Sequence, residues 1–227
     1  TPKPAGNALA KALSPSEDDF LAESQVVAVK LIDDLVQLTD AQGGVHEGKR
    51  LLVTCPMPQA KALLGGYWDP HWPDADMVTY RPVVTMMLTL ERPQDAQEMA
   101  RLMGAGDAKI IWESDKPGRP DGHRLVVHFD EAATLPFLQT DLKEIARHMA
   151  GILEHAGAGL LNIQAHRWLY AHTKSAMTGG MLAHQSLPIW VAGDGFGLDG
   201  VETAFLSAHA AALDIIEANA AHPNGKG

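Results

Sequence analysis

Apolar positions along the chain follow two periods. Short aliphatic or β-branched runs, some alternating and some continuous, are interleaved with stretches that repeat every three to four residues, which is the pattern of strands and helices in turn. Residues 24–31 are β-branched and predict a strand, with 35–39 as its hairpin partner and Gly43-Gly44 as the next turn. Residues 50–54 predict a short strand whose Leu51-Leu52-Val53 lacks alternation, as expected where both faces are covered. Cys55-Pro56-Met57-Pro58 ends it, and 59–64 can begin a helix after the second proline. In 82–90, Thr85 and Thr89 interrupt apolar residues, as in an antiparallel strand, while 94–103 is helical in pattern and stops at Gly104. Strands are expected over 109–112 and 125–129, joined by a polar turn. An amphipathic helix over 138–153 presents Leu138, Leu142, Ile145, Met149 and Ile152 and closes at Gly157, after which 160–170 returns as a strand. Residues 7–13 predict a short helix, and 67–73, with Trp68, His71 and Trp72 among prolines, a crossing between two lobes.

The most informative order lies near the end. An apolar strand over 187–192 runs into Gly193-Asp194, crosses a loop holding Gly195, Gly197 and Gly200, and enters a helix with the apolar stripe Val201, Phe205, Ala208, Ala212 and Ile215. That is a ligand cradle in outline: glycines let backbone approach a bound group, the acid can accept from hydroxyls, and the helix's first turn offers unpaired N–H donors. An ordinary strand-to-helix turn has the same order.

Composition narrows the partners. A chain of 227 residues, 46% apolar, can bury one or two cores. No charge-free apolar run is long enough to span a bilayer, no signal-peptide pattern opens the chain, and the single Cys55 suits a reducing compartment, so the expected location is the cytoplasm. A net charge of −10 without a basic stripe disfavours nucleic acid and anionic membrane surfaces. Although there are 11 histidines, no metal-ligand spacing appears; Glu144 and His148 would share a helix face but lack further ligands, so no metal site is expected.

Several stretches carry a resemblance. Gly193-Asp194-Gly195 followed by Val201-Glu202-Thr203-Ala204-Phe205-Leu206-Ser207-Ala208 resembles the pattern Gly-Asp-Trp, then Val-Glu-Gly-Ala-x-x-Ser-Gly, of renalase-like proteins, a branch of the FAD-dependent amine oxidases. Gly195 stands for the aromatic, and Thr203 and Ala208 stand for glycines. Residues 51–64, LLVTCPMPQAKALL, resemble the family's VVLAVPAPQAAALL, and Lys116-Pro117-Gly118-Arg119 and His166-Arg167-Trp168-Leu169-Tyr170-Ala171 resemble its Ser-x-Lys-Pro-Gly-Arg turn and His-Arg-Trp-Arg-Tyr-Ala segment. The resemblance runs from Asn7 to Ile216. It implies that Pro56 and Pro58 pass close to FAD, that the backbone of Val26 meets adenine, and that Asp194 accepts from the ribityl chain. It further implies that the backbone at Gly193, Gly200, Val201 and Glu202 borders the flavin, and that Trp168 and Arg167 line its substrate side.

The family begins with a Gly-x-Gly-x-x-Gly strand-loop-helix unit that seats the pyrophosphate, and this chain has none. Gly104-Ala105-Gly106 and Gly157-Ala158-Gly159 imitate half the fingerprint but read as helix stops, and Thr1 reads as what remains once an initiator Met is removed. The expected fold is α/β: a partial FAD-binding, Rossmann-like lobe from 1–66 and 171–227, and a substrate lobe of antiparallel sheet with helices from 67–170. The apolar strands at 51–54 and 187–192 would leave open sheet edges, so a second polypeptide carrying the glycine-rich unit is the expected partner. Two functions follow. One is a subunit of a split FAD oxidoreductase acting on a reduced nicotinamide or an amine; the other is a non-catalytic assembly protein that keeps the fold without flavin.

Overall fold

The structure, a computed structural model, describes residues 20–116, 122–198 and 200–221, with the backbone alone of Ala221. The helix expected over 7–13 and most of the Lys-Pro-Gly-Arg turn lie outside the described residues. In chain order the strands are β1 (Val26–Ile32), β2 (Leu35–Asp40), β3 (Val45–Gly48), β4 (Leu51–Val53), β5 (Thr79–Leu90), β6 (Lys109–Trp112), β7 (His123–His128), β8 (Leu160–Ser175), β9 (Leu182–Ala183) and β10 (Ile189–Val191). The helices are α1 (Met57–Leu64), α2 (Ala96–Leu102), α3 (Glu131–Thr134), α4 (Leu142–His155) and α5 (Val201–Ala221). Two compact units result, Leu21–Tyr80 with His172–Gly227, and Arg81–Ala171, and the chain passes between them within β5 and within β8.

In the first unit β1, β2 and β3 form an antiparallel meander, with Lys30 opposite Gln37 and Val36 opposite Gly48. A second sheet has the order β4-β10-β9, in which β4 and β10 are parallel, with Leu51 opposite Ile189 and Val53 opposite Val191. Leu51, Val53, Ile189 and Val191 are buried and share one core with Met57, Ala60 and Leu64 of α1 and with Val29 and Val36. Among the described residues one side of β4 has no neighbouring strand in this sheet.

Residues 67–73 lie within this unit, pinned by a buried carboxylate. Asp69, 1% exposed, accepts from the backbone N–H of His71 and of Gln185, both at 2.9 Å. Beside it the Trp72 indole donates to the carbonyl of Ala183 at 2.9 Å, and His184 Nδ1 accepts from Ser186 and Leu187 N–H. These bonds shape the 183–187 turn that feeds β10. The Gln185 N–H, followed by that of His71, holds the Asp69 carboxyl at a pKa of about 2. A carboxyl that releases its proton more readily when folded stabilises the fold above its unfolded pKa of about 3.9, and this contribution is lost as pH falls through about 2. Thermal melts from pH 5 downward should therefore show wild type well above Asp69→Asn at pH 5, with the gap closing toward pH 2. A gap that stays constant over that range would contradict this account.

Helix α5 differs from its expected orientation. Val201, Phe205 and Ala212 of the predicted stripe are exposed, and the buried positions are Ser207 and Ala211, flanked by half-buried Ala204, Ala208, Asp214 and Ile215. Two polar anchors decide this. Asp214 accepts from the Trp190 indole at 2.6 Å, and the Ser207 hydroxyl accepts from Gly193 N–H at 2.9 Å, so the small, polar side of the helix faces β10.

The unit Arg81–Ala171 is a sheet of order β6-β7-β5-β8, with β7 antiparallel to both neighbours. Alternation on β5 and β7 sends Val84, Met86, Leu88, Leu90, Leu125 and Val127 to one face, where Met99 and Ala100 of α2 and Ile145, Met149 and Leu153 of α4 cover them. Helix α4 starts later than its apolar pattern predicts because the Asp141 side chain caps it, accepting from Lys143 N–H at 2.9 Å and Glu144 N–H at 3.2 Å. Gly104 and Gly157, at φ +64° and +70°, stop α2 and α4. The other sheet face carries no helix from this core and lines a cavity of about 1000 Å³.

Candidate functional site

The parallel strands β4 and β10 end side by side, with Ala192 N–H donating to the carbonyl of Val53 at 3.0 Å. The carboxyl ends of parallel strands are where open α/β sheets leave a ligand crevice. Two turns leave from there. On the β4 side Pro56 caps α1, accepting from Gln59 and Ala60 N–H at 2.8 and 3.0 Å, and Pro58 sits in the first turn, where its missing N–H costs nothing. On the β10 side Gly193 adopts φ 148°, ψ −164°, a backbone conformation essentially confined to glycine, and a Cβ there would lie 3.4 Å from the Thr54 carbonyl.

Asp194 follows, half-buried, in a single 3-10 turn. Its carbonyl accepts from the Thr173 hydroxyl at 3.0 Å, and the next carbonyl, that of Gly195, accepts from Met177 N–H at 2.8 Å. The Asp194 carboxylate is hydrogen-bonded to the Tyr80 phenol, which also accepts from Met57 N–H at 3.2 Å. Burial pushes the Tyr80 phenol above its ordinary pKa, and the Asp194 charge adds to this, so the group stays a protonated donor. Tyr80 thereby ties both turns together.

Two departures from the family pattern have local explanations. A Cβ at Gly195 would lie 3.0 Å from the Tyr80 oxygen and 3.3 Å from Val78, so Tyr80 occupies the room an aromatic at 195 would need. A Cβ at Gly197 would lie 2.6 Å from Thr203 Cγ2, so the extra atoms of Thr203 are taken up by a glycine across the loop. Gly200, at φ +115°, leads into α5, where Ala204 N–H makes the first helical bond to its carbonyl at 3.3 Å. Val201 is 75% exposed and Glu202 is exposed, which leaves the first turn of α5 open to a ligand.

The structure thus gathers Pro56, Pro58, Gly193, Asp194, Gly200, Val201 and Glu202 into one unit around the two strand ends. Val26 opens β1, half-buried and opposite Asp40, and joins this unit through the core residue Val29 rather than at the strand ends. Tyr80, Thr173 and Ser207 hold the loop; of the three only Ser207, the serine of the family pattern, is marked by its local sequence. Half-buried Cys55 has its thiol pKa raised by burial, the opposite of an activated nucleophile. No cluster of three metal-ligating side chains occurs among the described residues.

Trp168 and Arg167 are separated by the pleat of β8. Trp168 is 53% exposed, lines the 1000 Å³ cavity and lies 4.2 Å from the His166 ring, centroid to centroid. Arg167 points to the opposite face, where it donates to the carbonyls of Phe137 and Thr140 at 2.9 and 2.8 Å. It is a strut for the turn before α4. Arg167→Ala should cost about 1–3 kcal/mol of stability, the usual range for charge-assisted bonds, while leaving ligand binding at the Trp168 face unchanged. Urea unfolding with a parallel binding titration checks both, and a binding loss at unchanged stability would return Arg167 to the ligand side.

Residues 5–216 match the family described as flavin containing amine oxidoreductase. The chain belongs to that family. Among solved structures it is similar to the cyclohexylamine oxidase from Brevibacterium oxydans IH-35A, with a TM-score of 0.56 at 14% identity, covering 92% of this chain and 51% of that one. It is also similar to two putrescine oxidase variants redesigned at cofactor binding, an A394C-A396T-Q431G triple mutant and an A394C mutant. Each has a TM-score of 0.51, with 13% and 15% identity, and again 92% of this chain and 51% of theirs is covered. The chain therefore spans about half the length of these structures and shares the mixed α/β fold of the FAD-dependent amine oxidases. No helix among the described residues is long and apolar enough to cross a membrane.

Proposed function

We propose that this chain is a subunit of a split, renalase-like FAD oxidoreductase and completes its flavin and substrate sites with a partner polypeptide that carries the Gly-x-Gly-x-x-Gly unit. The observation that carries the reading is the Gly193-Asp194 turn at the ends of two parallel strands, with the first turn of α5 open beside it. The residues present fit FAD. Glycine at 193 gives backbone approach, Asp194 is oriented by Tyr80, and the open first turn of α5 can receive an electron-rich edge.

When bound, the flavin accepts a hydride from the substrate and passes electrons to a further acceptor. The chain's own residues then hold and orient. Asp194 would accept from ribityl hydroxyls, the Val201 and Glu202 N–H groups would donate to the flavin's O2 edge, the Pro56 and Pro58 turn would border the ring, and the Val26 backbone would meet adenine. Trp168 lines the substrate side, where a reduced nicotinamide-like molecule or an amine is placed. No strong acid, base or nucleophile is required of the protein. The partner reading is supported by the open side of β4 and by the exposed apolar side of α5. A single, half-buried Cys55 suits assembly in the cytoplasm.

A second reading, a non-catalytic assembly protein that keeps the fold without flavin, is favoured by the side chains at Thr203 and Ala208, where the family has glycine. The two separate on one preparation. The chain purified with its natural partner as a heterodimer should be yellow, with one flavin per pair. A colourless complex that takes up no added FAD would establish the second reading instead.

A further inference from the structure

The face of the Arg81–Ala171 sheet that carries no helix among the described residues has a charge balance unlike that of the chain. Among the described residues its cavity of about 1000 Å³ is lined by two cations, Lys116 and Arg124, against one carboxylate, Glu113, although the chain carries a net charge of −10. That carboxylate is already engaged, because Lys116 Nζ forms an ion pair with it three residues away. Two imidazoles, His128 and His166, add further donors and can only make the lining more positive when protonated. A protonated amine entering here would leave water for a lining whose described residues have a net positive sign and whose one carboxylate among them is already paired with a cation.

The groups lie at two stations. Arg124 is opposite Thr89 and His128 opposite Thr85 in the β5–β7 register, so four residues of strand, about 13 Å, separate them. At the first station the backbone N–H of Arg124 donates to the Ser114 hydroxyl at 2.7 Å, and its guanidinium is a planar fork of five N–H donors. At the second, His128 Nδ1 is 2.8 Å from the Thr85 hydroxyl. On β8 the exposed Trp168 offers a flat face to the same cavity beside His166. Aromatic and imidazole faces suit a planar ring, whereas the guanidinium fork suits a carboxylate or phosphate.

We propose that this face binds an elongated anion, with a planar ring against Trp168 and His166 and an oxyanion at Arg124, and that it selects against ammonium-bearing molecules. This deepens the oxidoreductase reading and rests on it only in calling the ligand a substrate. The binding stands by itself.

The test is a charge series of constant ring and length on the full chain: 6-phenylhexanoate, 6-phenylhexyl phosphate and 6-phenylhexylamine, titrated by tryptophan fluorescence and calorimetry without flavin. One or both anions should bind at least 10-fold tighter than the amine, and the tighter one names the oxyanion. Arg124→Gln should erase the preference for anions, and Trp168→Ala should weaken every ligand that binds, regardless of charge. The proposal is overturned if the amine binds as well as the anions, if Arg124→Gln keeps the preference, or if no member binds. Failure of the flavin reading would appear elsewhere, as absent FAD uptake by the partner complex.

Discussion

Gly193→Ala is expected to weaken flavin binding by the partner complex at least about 10-fold while leaving the core folded. At φ 148°, ψ −164° the residue is in a region that a Cβ makes costly, on the order of 1–3 kcal/mol, and the new atom would also press on the Thr54 carbonyl, 3.4 Å away. The cheapest relief is to rotate the 193–194 peptide. Rotation breaks the Gly193 bond to Ser207 and turns the Asp194 carboxylate off Tyr80, removing the orientation on which the proposed ribityl recognition depends. The buried residues of β4, β10 and α1 do not touch the new methyl, so circular dichroism should remain native, with a melting temperature lowered only by the strain. Flavin fluorescence quenching reads the affinity. An unchanged dissociation constant for Gly193→Ala would mean that this turn does not contact the cofactor.

How much of this could be read in advance depends on whether a residue's structural partner is near in sequence. The strand-Gly-Asp-helix order around 193 was legible because an apolar run, a glycine that must take an unusual φ and a helix start are all local signals. Strands β5, β6, β7 and β8 were legible as well, with the ends of β5 and β8 falling beyond their apolar runs. β3 and β9 were not. Val45-His46-Glu47-Gly48 has almost no apolar content and is drawn into the sheet by pairing with β2, while Leu182-Ala183 is a strand only because β10 lies beside it.

The misplaced residues teach a similar lesson. Helix α5 is so rich in alanine that periodicity marks its buried face poorly, and that face is chosen by Ser207 and Asp214, whose partners Gly193 and Trp190 come from another element. Tyr80 lies far along the chain from the Asp194 it orients, so only the fold reveals the pair. Arg167 is different. A strand's two-residue alternation already puts His166 and Trp168 on one face and Arg167 on the other, so adjacency within a family motif says less about which residues share a face than the pleat does.

Placing lysine at both Leu206 and Leu213 should abolish assembly with a nucleotide-binding partner while leaving this chain's own fold intact. The two leucines are 59% and 50% exposed and share one side of α5 with Phe205 at 59% and Ile216 at 61%. The four lie one, seven and three residues apart in turn, which puts them on one side of a helix with His209 stacked on Phe205 between the two pairs, a largely apolar strip on a surface where single apolar residues would be unremarkable. The anchors of α5 to its own unit are Ser207, Ala211 and Asp214 on the other side, so neither substitution removes an internal contact of that kind. In a dry interface each ammonium would have to leave water without a partner, and two together should cost more than about 3 kcal/mol, a loss of 100-fold or more in affinity. Co-purification with the natural partner should fail for the double variant, whereas its melting temperature alone should stay within a few degrees of wild type. Conversely, exchange of both leucines for methionine should preserve assembly, because apolar area is kept. If the double-lysine chain still assembles and still carries flavin, the partner docks elsewhere, and the open side of β4 becomes the surface to test.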